Sequence, residues 1–334
     1  MTIRKNIQNH IFSMFLLTFL SINVQAEFAK GADISWQTEQ INAGYSWKND
    51  SGDDVSLHDV LKDHAMNSIR LRVWVSPSDG WNNKADVVTK AVWAKNAGMR
   101  IMIDFHYSDT WADPAKQTMP SQWNTATIAD IRKEIRKHTK DVLLTLKQNQ
   151  IYPEWVQIGN ETNDGMLWPY GRASINGFKN YAKFIKSGAK MAKTIFPNIK
   201  TIVHLANGDN LGVLEWNLDG LVAEKTDFDI IGLSLYPGSE WLAAVDSYEY
   251  NLIHLQKKYG KKVMLVEVGM NAAPIQTSYD AIFDIIERTK TNEGLGVFYW
   301  EPQGYNDWDG YSKHTWANSG APTWALDAFY WAGN

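Results

Sequence analysis

Apolar residues recur along this chain in two alternating rhythms. Short runs rich in Val, Ile, Leu and Phe lie at residues 31–36, 68–75, 99–106, 155–161, 200–206, 229–236, 262–267 and 295–300. Their near-continuous hydrophobicity is that of strands covered on both faces, as in a parallel sheet. Between them, residues 54–65, 85–97, 128–149, 175–196, 241–259 and 279–291 place apolar side chains at the helical period with charges on the opposite face. A weaker helical pattern falls within 211–224. Glycine stops two of these helices, at Ala97-Gly98 and Tyr259-Gly260, each just before the next strand.

Strand and helix alternating eight times predict an α/β protein, a single (β/α)8 TIM barrel. A doubly wound open sheet alternates in the same way, but it carries a glycine-rich phosphate turn after its first strand. GADISWQTE has none. No Pro/Ser/Gly-rich linker or solenoid repeat interrupts the pattern, so one domain is expected.

The N-terminus obeys a different rule. Arg4 and Lys5 precede an apolar run at 11–20, and the polar stretch SINVQA ends at Ala26. That is the layout of a secretory signal peptide, residues 1–26, which leaves 27–334 as the barrel. Secretion or a periplasmic location follows. No later segment reaches the roughly 20 apolar residues a spanning helix needs. There is no cysteine, which removes disulfides, a thiol for a lipid anchor and thiolate chemistry together, and leaves stability to a large core. The net charge of −4 is spread without basic runs, which excludes a nucleic-acid face and points to a neutral partner; a monomer is expected.

Sixteen tryptophans are present. Many lie beside Gly, Asn, Asp and Pro, where indole faces suit the CH faces of sugar rings. Trp93 and Trp155 sit in periodic segments and read as core. In a barrel of this class the chemistry collects at the C-terminal ends of the strands. Those ends carry Asp33 and Trp36; Arg70, Arg72 and Trp74; Asp104, His106 and Tyr107; Asn160 and Glu161; His204; Ser234 and Tyr236; Glu267; and Trp300 and Glu301.

Two of them decide the reaction class. Glu161 follows VQIGN and Glu267 follows VMLV, and a carboxylate at the end of an apolar run is costly to desolvate without a purpose. A pair of this kind is what glycosidic hydrolysis requires, one as acid and one as nucleophile. Arg70, Arg72 or Tyr236 would hold the nucleophile ionised. Arg70, Arg72 and Trp74 alternate and so share one side of their strand, and buried guanidiniums there call for Asp33 or Asp104 as partners. His106 and His204 read as hydrogen-bonded neighbours of the carboxylates more readily than as proton shuttles, and they lack a third ligand for zinc. The loop HYSDTWADP offers Asp109, Trp111 and Asp113 as substrate contacts, with Asx turns as the structural alternative for Asp113. Trp168, Tyr170 and Trp300 are further stacking candidates.

GADISW, RLRVWVSP, DFHYSDTWADPAKQ, VQIGNETNDGMLWPYG, HLANGDN, FDIIGLSLYP, VEVG and YWEP together resemble glycoside hydrolase family 53, the endo-β-1,4-galactanases. The resemblance implies a retaining (β/α)8 barrel acting on galactan, or type I arabinogalactan, of pectic side chains, with no cofactor. It places Glu161 as acid/base and Glu267 as nucleophile, and it puts Asn160, His106, Tyr236 and Trp300 around the central sugar. Some family members carry a calcium-binding insertion after the last strands. The loop VGMNAAPIQTS here is short, so no metal is expected, although Asn306, Asp307 and Asp309 offer oxygens. The competing enzyme reading is a barrel endo-glycanase on mannan, xylan or glucan. A sugar-binding barrel without catalysis is disfavoured by the presence of both carboxylates.

Overall fold

A computed structural model describes residues 27–123 and 127–333; the predicted signal peptide lies outside them. Among the described residues the strands are, in chain order, β1 (Ala29–Asp33), β2 (Trp47–Lys48), β3 (Asp54–Val55), β4 (Ser68–Val73), β5 (Arg100–Phe105), β6 (Trp155–Ile158), β7 (Lys200–Leu205), β8 (Ile230–Leu235), β9 (Lys262–Val268) and β10 (Gly296–Trp300). Eight of them, all but the antiparallel pair β2 and β3, form a closed parallel barrel, with β1 bonded to both β10 and β4. The helices are α1 (Gln37–Asn42), α2 (Leu57–Asp63), α3 (Lys84–Asn96), α4 (Ile128–Gln148), α5 (Ala173–Asn176), α6 (Phe178–Ile195), α7 (Leu211–Ala223), α8 (Trp241–Tyr259), α9 (Ile275–Thr291) and α10 (Ala328–Trp331).

Local chemistry explains where these depart from the periodic reading. The segment 54–65 is not one helix, because Asp54 and Val55 pair with Lys48 and Trp47. The helix waits for Ser56, whose Oγ accepts the Asp59 N–H at 3.1 Å. The segment 175–196 splits at Gly177, whose φ of 67° breaks the helical path. Asn83 and Asn210 cap α3 and α7, and the second of these gives the weakly patterned 211–224 segment a defined start. The eighth helix is a single turn, α10, against α9.

The barrel interior is layered. Ala29, Met102, Trp155, Ile202, Ile230, Met264, Val266 and Phe298 fill its lower half. Gly31 belongs to this layer because a Cβ there would run into the Phe298 ring. The strands' other faces pack against the helices in one continuous core that includes Ile103, Phe105, Val156, Leu233 and Leu265. Each such buried side chain contributes about 1.5–3 kcal/mol, which is how a chain without disulfides stays folded. Above the apolar plug the interior turns polar, beginning with Arg70, Asp104 and Gln157, all fully buried.

Candidate active site

Glu267 reaches this polar layer through an irregularity in β9. Met264 and Val266 point into the barrel, so strict alternation would turn Glu267 outward to the helices. The ladder slips instead: Leu233 pairs with Leu265 and then Ser234 with Glu267, leaving Val266 as an extra residue. The pairing of β10 with β9 jumps at the same place. Such a bulge re-aims a side chain, and here Val266 and Glu267 both face inward.

Arg70 Nη2 pairs with the acceptor Glu267 Oε1 at 2.8 Å, and Tyr236 donates its hydroxyl to Oε2 at 2.8 Å. The same guanidinium binds Asp33 at 2.6 Å and Asp104 at 2.9 Å. It also donates to Gln157 Oε1 and Asn160 Oδ1. Burial works against its charge, but Asp104, Glu267 and Asp33 outweigh burial and raise its pKa.

Glu161 lies beyond the end of β6. Gly159 leaves the ladder at φ 84°, and Glu161 itself is held at φ 45°, a region costly for a side-chain-bearing residue. Three contacts fix this stretch: Asn160 Nδ2 donates to Ala112 O, Gln117 Nε2 donates to Asn160 O, and the Glu161 N–H points to His204 Nδ1 at 3.3 Å. Glu161 Oε1 accepts the Ser234 hydroxyl at 2.8 Å. Its pKa is pushed up to about 8, first by burial and then by the charge of Glu267. Burial raises Glu267 as well, with Arg70 and Tyr236 acting against it. The carboxylate with a guanidinium at 2.8 Å ionises first, which leaves the proton on Glu161.

An aromatic wall rises beside the pair. Trp36 packs edge-on against Trp300 with centroids 5.0 Å apart, and Trp111 sits 5.8 Å from Trp300 and 5.2 Å from Trp74. A cavity of about 380 Å³ opens from Trp36, Trp74 and Trp111 toward Glu39, Asp79 and Trp308. Neither glutamate lines that cavity; two carboxyl groups of opposed protonation at the barrel mouth are equipped for acid-assisted displacement at a sugar carbon. A family model described as "Glycosyl hydrolase family 53" matches residues 29–277.

The chain belongs to glycosyl hydrolase family 53.

It is 36% identical over 315 residues to a probable arabinogalactan endo-beta-1,4-galactanase A of Aspergillus terreus, covering 86% of this chain and 90% of that one. A solved fungal beta-1,4-galactanase superposes with a TM-score of 0.84 at 31% identity, covering 91% of this chain and 99% of that one. The family 53 catalytic domain of Ignisphaera aggregans gives a TM-score of 0.84 at 26% identity, with 92% and 97% covered.

In this family 53 hydrolase the residues expected to touch sugar fall into two groups. Glu161, Trp111, Tyr236 and Trp300 are partly accessible, and Asn160 and Glu267 are buried. Arg72 is not at the surface of the cleft. It is 1% exposed, bonded to Glu301 at 2.6 Å, and lies under the Trp111 ring at 4.2 Å. His106 donates Nε2–H to Asp104 and accepts the Trp74 indole N–H and the Ala112 N–H at Nδ1, so both ring nitrogens are used within the protein. His204 is buried against Ser234, Gln157 and Asn160. Burial, then Arg70, keep it neutral. Asp109 ties loops together, accepting from Ser76 N and from Ser121 N and Oγ, while its residue borders the cavity. Tyr107 turns away from the mouth to stack on Phe105 and bond Thr139. Asp113 makes an Asx turn to Ala115 N. The face of Trp168 is covered by Arg172 at 4.2 Å. Asn306, Asp307 and Asp309 each take left-handed backbone in an exposed turn after β10.

Three contributors escaped the sequence reading. Gln157 bridges Arg70, Asp104 and His204; the signal was a lone amide in the apolar run WVQI. Glu301, a strand-end residue given no role, accepts from Arg72, the Trp36 N–H and Gln303. Tyr311, in an unassigned tail, buttresses Trp36 and Trp300 and donates to the Trp300 carbonyl. Nothing in its local sequence marked it.

Proposed function

We infer that the protein is an endo-β-1,4-galactanase that hydrolyses galactan by a retaining double displacement. Support for the reading comes from the paired carboxyl groups, one with a guanidinium and a phenol as partners and one with its pKa raised, together with family membership and galactanase-named relatives across most of the chain. Glu267 attacks the anomeric carbon while Glu161 gives its proton to the departing glycosidic oxygen. A covalent glycosyl ester of Glu267 results, with Glu161 now a carboxylate. Water enters, Glu161 takes its proton, the water oxygen bonds to the anomeric carbon, and Glu267 departs with configuration retained. Asn160, Tyr236, Trp111 and Trp300 hold the sugar; Arg72, His106, His204 and Asp109 shape that surface from behind or beside it. No metal or cofactor has a part in these steps.

The layout of residues 1–26 supports export with cleavage near Ala26, to the periplasm or beyond. Among the described residues no helix is long and apolar enough to cross a membrane. The protein acts as a monomer without a membrane anchor. Incubation with linear β-1,4-galactan, mannan, xylan and β-glucan, followed by sizing and proton NMR, tests the reading. It expects galactan alone to shorten internally with β-configured reducing ends appearing first. Cleavage of another polymer in preference, or release of galactose alone, contradicts it.

A further inference from the structure

Ser234 stands at the C-terminal end of β8, 1% exposed, opposite Glu267 in the ladder at the point where the register slips. Its Oγ lies 2.8 Å from Glu161 Oε1 and 2.7 Å from His204 Nε2. A serine has one hydroxyl hydrogen. Giving it to Glu161 requires His204 to present Nε2–H to the serine. In that tautomer Nδ1 accepts the Glu161 backbone N–H at 3.3 Å, with Gln157 Nε2 at 3.0 Å and Asn160 Oδ1 at 2.8 Å also against it; Asn160 Oδ1 already accepts from Arg70 and Gln157, each at 2.9 Å, and has no lone pair left for an Nδ1–H. One imidazole therefore grips both ends of Glu161, the backbone directly and the carboxyl through Ser234.

A carboxylic acid has two oxygens, and only a proton on the oxygen facing the leaving group is useful. We propose that Ser234 is a positioning residue for the acid/base: its hydroxyl occupies Oε1 of Glu161, so the transferable proton is carried by Oε2. The inference rests on the assignment of Glu161 as the acid. In the first displacement the Oε2–H bond breaks, the proton moves to the glycosidic oxygen as its bond to the anomeric carbon opens, and the ester to Glu267 forms. The charge left on Glu161 is shared with Oε1, where the Ser234 hydrogen stabilises it. In the second displacement Oε2 takes a proton from the attacking water as the ester bond breaks.

Glu161 is faced by Glu267 of β9, Arg70 of β4, Asp113 of the loop after β5, His204 of β7, and Ser234 and Tyr236 of β8 and its end. Ser234 and Arg70 favour its ionised form; Glu267 and Asp113 oppose it. Removing the hydroxyl therefore moves the alkaline limb of kcat/KM to higher pH while lowering its plateau. A cavity that merely let water in would relieve burial and move that limb the other way.

The test compares Ser234→Ala, Ser234→Thr and Glu161→Ala on two substrates, linear β-1,4-galactan and 2,4-dinitrophenyl β-galactobioside, whose leaving group needs no proton. Ser234→Ala should lose about 10- to 100-fold in kcat/KM on galactan, the worth of a hydrogen bond to a charged group. On the aryl glycoside it should keep most of its kcat/KM. Ser234→Thr, which retains the hydroxyl, should recover galactan activity. Equal loss on both substrates, no loss on galactan, or an alkaline limb shifted downward overturns the role of Ser234. Glu161→Ala separates the two claims. If it shows the selective loss and Ser234→Ala does not, only the positioning role falls; if it shows none, the acid/base assignment falls and the positioning role with it.

Discussion

Arg70 meets five side chains with one guanidinium: Asp33, Asp104, Gln157, Asn160 and Glu267. Three are carboxylates, so the charge that orients Glu267 is itself oriented from below. Arg72, two residues on, does different work. Its single bonded nitrogen meets Glu301, while Nε and Nη2 have no hydrogen-bond partner and the plane lies among Trp111, Trp74 and Trp36. A buried pair of this sort adds little net stability, but removing one member strands the other. Arg72→Met should therefore cost about 3–5 kcal/mol in a denaturant melt, and adding Glu301→Gln should recover most of it. A double variant no more stable than the single one would show that Arg72 acts by packing on the tryptophans alone.

At the scale of elements, the site depends on two breaks in regular structure. The bulge in β9 turns Glu267 inward, and the exit from β6 through Gly159 carries Glu161 over the barrel mouth. Gly159 has φ 84°, and a Cβ there would stand 2.6 Å from Thr162 Cγ2. Gly159→Ala should cost about 1–3 kcal/mol in stability and lower kcat more than it raises KM, because it displaces the acid and not the sugar-binding wall. A wild-type kcat in a destabilised variant would detach Gly159 from the placement of Glu161. These breaks also mark how far the sequence could be read. The period of apolar residues located eight strands and most helices, since burial imposes that period. VMLVEVG looks the same with or without a bulge, so Glu267 read as a residue at the end of its strand when it lies within β9. Alternation correctly grouped Arg70 with Arg72. It could not divide their partners, because the acceptor for Arg72 lies 229 residues away.

For the whole molecule, the buried groups set a pH window. Folding holds Glu161 protonated up to about 8, against about 4.3 in an unfolded chain. The folded state binds more protons across that interval, so stability falls as pH rises through it. Burial lowers His58 and His138 to about 4, below the unfolded value of about 6.5, so their contribution grows as pH rises through that range. From these groups the melting temperature should rise toward about pH 6.5 and decline from there toward pH 8. Glu161→Gln should soften the decline and leave the value at pH 5 close to wild type. An unchanged slope would mean that Glu161 is ionised throughout and has no proton to give at neutral pH.

The division of labour between the two glutamates is tested most directly by trapping the ester. A 2-deoxy-2-fluoro-β-galactobioside with a good leaving group should form its covalent intermediate and hydrolyse it slowly. Peptide mapping by mass spectrometry is predicted to find one fluoroglycosyl group on Glu267 and none on Glu161, with Glu267→Ala unlabelled. Label on Glu161, or turnover with inverted configuration and no adduct, would contradict the account.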